Sequence, residues 1–263
     1  MAFFEHDGCS LHYEDYGHGA PLLLLHGLGS SGLDWEYQVP AFSAAGYRVI
    51  TLDLRGHGRS DTPRERYSIA MFSADVAALI DHLHLEPVHL VGLSMGAMVG
   101  FQLAVDQPQR LKSLCIVNSG PQVKVRGAND VWQWFKRWSL ARVMSMQTLG
   151  QALGKLLFPL PEQADLRRKI AERWARNDKR AYLASFDAIV GWGVQERLSR
   201  ITCPTLVISA DRDYTPVAVK QAYVKRMPNA RLVVIDNSRH ATPLDQPEAF
   251  NRTVLEFIAA HRV

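Results

Sequence analysis

The sequence predicts an α/β domain with a mostly parallel central sheet, interrupted by a helical insertion. Three observations carry this. First, short continuous apolar runs ("PLLLLHG", "YRVITLDLRG", "PVHLVG", "LKSLCIVNS") alternate with stretches of helical apolar spacing. Such alternation is the pattern of βαβ units whose strands are buried on both faces. Second, strand-like runs stop from about residue 121 to 198, and Trp132, Trp134, Trp138, Trp174 and Trp192 all fall there. Third, the alternation then resumes and runs to the end of the chain. The expected division is a core of residues 1–120 and 199–263 with a helical insertion at 121–198, and 263 residues suffice for one such core.

The elements follow in order. "FFEHDGCSLHYEDYG" reads as two strands around Asp7-Gly8, a strong hairpin turn signal. An antiparallel start therefore feeds the parallel sheet. "SIAMFSADVAALIDHL" has helical spacing through Ile69, Phe72, Val76, Leu79, Ile80 and Leu83, and "SMGAMVGFQLAVDQ" is a second helix. The insertion offers "NDVWQWFKRWSLARVMSMQ", "EQADLRRKIAERWARND" and "KRAYLASFDAIVGW" as helices. Afterwards come the strand "CPTLVISADRD", the helix "TPVAVKQAYVKRMP", the strand "ARLVVIDNSRH" and a closing helix with Pro247 near its first turn.

Composition narrows the classes. The chain is 47% hydrophobic and 21% charged, the balance of an ordinary globular protein. Its first residues carry Glu5, Asp7, Glu14 and Asp15 and no apolar run of signal-peptide length, so a cytoplasmic location is expected. Cys9, Cys115 and Cys203 are odd in number and widely spaced, which argues against a disulfide framework or a zinc site. No metal and no cofactor are expected. Residues 121–198 hold 14 Lys/Arg against 7 Asp/Glu, while the remainder holds 16 against 19. These charges are scattered at helical spacing and read as solvated helix faces, so no nucleic-acid partner is expected. "RGHGRS" lacks the Gly-Lys-Ser/Thr ending of a phosphate-binding loop.

The chemistry centres on "VHLVGLSMG". Ser94 follows a strand and opens a helix, flanked by Gly92 and Gly96, which is the context of a nucleophile elbow. A serine hydroxyl is a weak nucleophile. It requires a general base, an orienting group for that base, and donors for the oxyanion that forms on the attacked carbonyl. Of ten histidines, His240 follows the last strand on a loop free to reach the serine. His26 and His57 are read as structural residues of the site rim. The orienting acid is Asp211 or Asp213, both just after the strand "LVISA", and spacing alone does not choose between them.

The pieces "LLLHGLGSS", "LDLRGHGRSD", "LVGLSMGAM", "PTLVISADRDYTP" and "SRHATPLDQPEAF" resemble the α/β-hydrolase family, in its serine esterase and lactonase branch, from about Leu22 to Phe250. The resemblance implies Asp213 as the acid, three residues after Ala210, where glycine is commoner. It implies the backbone N–H groups of Leu28 and Met95 as oxyanion donors, and a helical cap formed by the insertion. Ser94 in place of an aspartate nucleophile argues against epoxide opening and halide displacement.

The expected function is hydrolysis of a carboxylic ester through an acyl-enzyme on the triad Ser94, Asp213 and His240. Alternatives are a lactonase of the enol-lactone type, a perhydrolase or haloperoxidase-like enzyme, and a non-catalytic binding module. The partner expected is a small-molecule ester or lactone. In "VWQWFKRWSLARV", Val131, Trp134, Phe135 and Trp138 are read as one face packed on the core, with Trp134 and Trp138 lining the substrate pocket. No membrane contact is expected from this basic, aromatic helix.

Overall fold

A computed structural model describes residues 2–85, 87–124 and 127–261. Eight strands form one sheet, the third and fourth in chain order exchanged and the rest lying in chain order. Strands β1 (Ala2–His6) and β2 (Cys9–Tyr16) make the leading hairpin. Asp7 and Gly8 turn it with φ of 53° and 69°, the left-handed conformation a two-residue turn of this hand requires. β2 lies antiparallel on β4 (Tyr47–Leu52). From there the sheet is parallel through β3 (Ala20–Leu25), β5 (Val88–Leu93), β6 (Leu111–Val117), β7 (Thr205–Ala210) and β8 (Ala230–Ile235). β5 and β7 are buried at every position, which is why they read as unbroken apolar runs instead of alternating ones.

Helices cover both faces. α2 (Ile69–His82) and α3 (Met95–Asp106) bury Phe72, Val76, Val99 and Phe101 on one side. α1 (Gln38–Ala44) and α10 (Pro247–Ala259) bury Phe42, Phe250 and Phe257 on the other, around Leu22, Leu24 and Val91. Between β6 and β7 the chain leaves the sheet and builds α4 (Ala128–Val143), α5 (Met146–Leu157), α6 (Ala164–Ala175) and α7 (Lys179–Ile189). A bridge between Gln122 and Gly193 closes the base of this excursion. α8 (Val217–Val224) and the short α9 (Thr242–Asp245) complete the chain. No helix of the described residues is long and apolar enough to cross a membrane.

The excursion sits over the C-terminal ends of the strands. The Trp174 ring lies so close to Gly29 that a Cβ there would come within 2.8 Å of it. Asn177 Nδ2 donates to Gly29 O at 2.7 Å, and Arg173 pairs with Asp34 at 3.0 Å. α4 corrects the single-face expectation. Trp134 turns inward onto Phe186, with ring centroids 5.2 Å apart, whereas Val131 and Phe135 are 55% and 52% exposed. The apolar positions of α4 span two stripes of the helix, and the rest of the protein covers the stripe of Trp134 and Ala141.

Candidate active site

Four strand ends deliver the site. At the end of β5, Ser94 adopts φ 53° and ψ −111°, a conformation a side-chain-bearing residue holds only when its surroundings impose it. The flanking glycines explain how. A Cβ on Gly92 would meet the Gly96 carbonyl carbon at 2.5 Å, and one on Gly96 would meet Leu25 O at 2.3 Å. Strand, turn and helix are pressed together too tightly for any side chain at either position. Ser94 N donates to Val117 O at 3.0 Å, which pins the turn to the neighbouring strand end.

After β8, His240 lies on the loop before α9 with its Nδ1 2.7 Å from Asp213 Oδ1. Asp213 is fully buried. Burial pushes its carboxyl up, but the hydrogen bond and charge of His240, together with Lys220, outweigh it and hold the pKa below the usual value. Asp211, the other candidate acid, turns away. Its Oδ1 accepts from Ser238 N at 2.9 Å, and its other oxygen lies 3.5 Å from Arg212 Nε. The structure thus brings Ser94, Asp213 and His240 to one end of the sheet and leaves Asp211 closing a turn.

The loop after β3 supplies the opposite wall. Gly27 is close enough to Ser94 that an added Cβ would lie 3.4 Å from the serine Cβ. The turn is closed by Ser30 N donating to Gly27 O at 3.2 Å, and Leu28 lies within it beside the cleft. Met95 opens α3, so its N–H is among those without a partner inside the helix, at the positive end of the helix dipole.

His26 and His57 are not at the rim; both are buried, at 0% and 2% exposure. His26 donates from Nδ1 to Gly27 O at 2.8 Å and accepts from Leu54 N at Nε2 at 3.0 Å, so it ties the β3 loop to the β4 loop. Burial lowers its pKa, and burial with His26 alongside pushes His57 down to about 3. Both are uncharged struts.

A cleft between the excursion and the sheet reaches Ser94 and His240. Its inner lobe (the enclosed lobe, named for its cap walls), about 430 Å³, is walled by Trp134, Leu153, Leu157, Ile170 and Phe186. A second lobe of about 600 Å³ (the open lobe) runs past Ser119, Gln122 and α8. Trp134 lines the enclosed lobe as expected from sequence. Trp138 does not. It stacks on Phe135 and lies beneath the Arg142 guanidinium, 4.8 Å from its ring centroid. Among the described residues, no group of three His, Cys, Asp or Glu side chains is placed to hold a metal ion.

A family model described as alpha/beta hydrolase fold matches residues 20–247. The chain belongs to the α/β-hydrolase fold family. It falls in the esterase and lactonase branch of that family. A relative from Variovorax paradoxus, provisionally named carbamate hydrolase RutD, is 32% identical over 95% of this chain and 96% of its own. The 3-oxoadipate enol-lactonase 2 of Acinetobacter baylyi is 30% identical over 93% and 91%. The crystal structure of an enol-lactonase from Burkholderia xenovorans LB400 superposes with a TM-score of 0.90 at 27% identity, covering 98% of this chain and all of the other.

Three residues of this α/β-hydrolase site escaped the reading of the sequence. Asn118, at φ 47°, donates to His240 O at 2.8 Å and Thr242 Oγ at 2.7 Å and accepts from Ala210 N at 2.7 Å. It fastens the histidine loop to the end of β7. Its signal was a polar residue at the end of an apolar strand. Tyr214 stacks on the imidazole of His240, ring centroids 3.9 Å apart, and lines the same cleft as Ser94. Lys220 is fully buried and sits against Asp213. Its signal was a lysine inside the apolar run "VAVKQAYV".

Proposed function

We propose that the protein hydrolyses carboxylic esters through an acyl-enzyme formed on Ser94. The observation that carries this is the His240–Asp213 pair at 2.7 Å, on loops that meet the strained Ser94 turn at the mouth of an apolar cavity. His240 takes the Ser94 proton as the hydroxyl attacks the acyl carbon. Asp213 holds the ring with Nδ1 protonated and stabilises the imidazolium. The N–H groups of Leu28 and Met95 receive the oxyanion. The imidazolium then protonates the leaving alcohol, and water activated by the same histidine releases the acid. The acyl chain lies in the enclosed lobe among Trp134, Leu153, Leu157, Ile170 and Phe186, and the alcohol departs through the open lobe.

Ser94→Ala is expected to abolish covalent labelling by a fluorophosphonate and to lower kcat on a short p-nitrophenyl ester by about 10⁶-fold. Unchanged turnover in that variant excludes Ser94 as the nucleophile.

A second reading is lactone hydrolysis, favoured by the two enol-lactonases among the relatives. The first chemical step is the same, but the leaving alcohol stays tethered to the acyl group and both must fit the cleft together. A panel of esters and lactones matched in acyl length, compared as kcat/KM, separates the two.

A further inference from the structure

The Asp213 carboxylate serves two partners. Its Oδ1 faces His240 Nδ1 at 2.7 Å, and its Oδ2 accepts from Lys220 Nζ at 2.6 Å. The same ammonium donates to Thr215 O at 2.6 Å. Lys220 and Asp213 are both wholly removed from solvent. A buried ammonium is costly unless paired, and a lysine is seldom fully buried without a reason. α8 could have filled this position with an apolar side chain, as it does nearby with the partly buried Val217 and Val224.

We propose that Lys220 is a positioning residue of the triad: it locks Asp213 with Oδ1 toward His240, and its charge sets the pH range in which His240 can accept the Ser94 proton. The inference rests on the serine-hydrolase reading above. Two effects follow from the geometry. Bonds from Nζ to Oδ2 and to Thr215 O fix the rotamer of Asp213 and the backbone of the acid loop together. The ammonium also offsets part of the carboxylate charge that would otherwise stabilise the imidazolium. An imidazolium stabilised less gives up its proton at lower pH, so the base stays available further into the acid range.

Other charged and titratable groups around the pair are already committed or more distant. On the acid loop, Asp211 is bound to Ser238 N and Arg212, and the Tyr214 ring stacks on His240. From α8, the Tyr223 phenol donates to Ser119 O at 3.0 Å. From the histidine loop and α9, Asp245 accepts from Ser238 Oγ and from Arg239 N. Across the cleft, Lys124 and Arg137 line the enclosed lobe, the latter against the rings of Trp134 and Phe186. Among the described residues, Lys220 is the cationic side chain in contact with Asp213 besides His240.

The test is the pH dependence of Ser94 labelling by a fluorophosphonate, which requires no knowledge of the substrate. Lys220→Met removes charge and donor, Lys220→Gln keeps a donor without charge, and Lys220→Arg keeps the charge. The acid limb of the labelling rate is expected to move up by about 1 pH unit in the Met and Gln variants and to stay in place in the Arg variant. The plateau rate is expected to fall further in the Met variant than in the Gln variant, because the donor lock is lost as well. A limb that stays put in both neutral variants overturns the proposal, since a merely structural lysine lowers rate or stability without moving it. ¹³C resonances of the lysine side chains in the unsubstituted protein give a check independent of variant folding. Lys220 must report an ammonium throughout the active pH range, and a neutral amine there overturns the proposal equally. Absence of labelling in the unsubstituted protein is instead a failure of the serine-nucleophile reading.

Discussion

At the scale of single residues, two aspartates two positions apart in the fold's acid loop do different work. Asp213 is buried against His240 and Lys220, while Asp211 gives its carboxylate to a backbone N–H and a surface arginine. Asp213→Asn presents an amide where Nδ1–H needs an acceptor, so the imidazole tautomer is wrong for accepting the serine proton. The expected loss in kcat is about 10⁴-fold. Asp211→Asn keeps an oxygen for Ser238 N and is expected to cost less than about tenfold, near the worth of one neutral hydrogen bond. The reverse ranking in steady-state kinetics would reassign the acid. The serine and the histidine were legible because each has a local signature: a glycine-flanked turn and a post-strand loop. The two candidate acids share one local setting, so only the resemblance chose between them. Lys220 stands out as a lysine in an apolar run, but its partner was not legible. Its partner lies seven residues upstream across a turn whose path no periodicity encodes.

At the scale of elements, the alternation of strands and helices was readable because buried parallel strands are apolar throughout. The insertion was harder. Helices there showed up by spacing, but α4 is apolar on two stripes, and sequence does not say which stripe its neighbours cover. Val131 and Phe135 were therefore assigned inward and lie outward. What the insertion does for the site emerges from its contacts. α6 ends over the β3 loop, where Trp174 presses on Gly29 and Asn177 donates to Gly29 O at 2.7 Å. These contacts anchor the Gly29–Ser30 peptide of the short loop that carries Leu28, the residue proposed to bind the oxyanion. Asn177→Ala is expected to lower kcat about tenfold with little change in KM, because small misplacements of catalytic donors act on the transition state. A change confined to KM would show that Asn177 shapes binding instead.

A second element-level tie joins the end of β4 to three other segments. Asp53 accepts from His12 Nδ1 at 3.0 Å, Gly32 N at 2.7 Å and Arg59 N at 2.9 Å. Burial pushes its carboxyl up, but the His12 bond, the nearby His26 and the two N–H donors outweigh it and depress the pKa. A carboxyl depressed in the folded state adds stability above its unfolded value near 3.8 and loses it as pH falls through the folded value. The unsubstituted protein is therefore expected to lose Tm steeply on acidification below about pH 4. Asp53→Asn, less stable at neutral pH, should show a shallower decline over the same range. Parallel Tm–pH curves for the two proteins would remove Asp53 from the account.

At the scale of the whole molecule, the proposed reaction divides its chemistry and its selectivity between the sheet and the insertion. Ser94, Asp213, His240 and the proposed oxyanion loop all come from strand ends, whereas Trp134, Leu153, Leu157, Ile170 and Phe186 come from α4 to α7. The sheet side is held by buried backbone bonds and by glycines that admit no side chain. The walls of the enclosed lobe are side chains on helices, which can change size without touching the triad. Trp134→Ala removes an indole from this wall and lengthens the lobe. An acyl chain two methylenes longer would then bury both, at about 0.8 kcal/mol each, which is roughly a tenfold gain in kcat/KM over the shorter chain. The gain should appear in the ratio of octanoyl to hexanoyl p-nitrophenyl esters. Tm should fall at the same time, because Trp134 packs edge-on against Phe186. If Tm falls and the ratio does not move, the acyl chain occupies the open lobe beside Ser119 and α8, and the roles of the two lobes are exchanged.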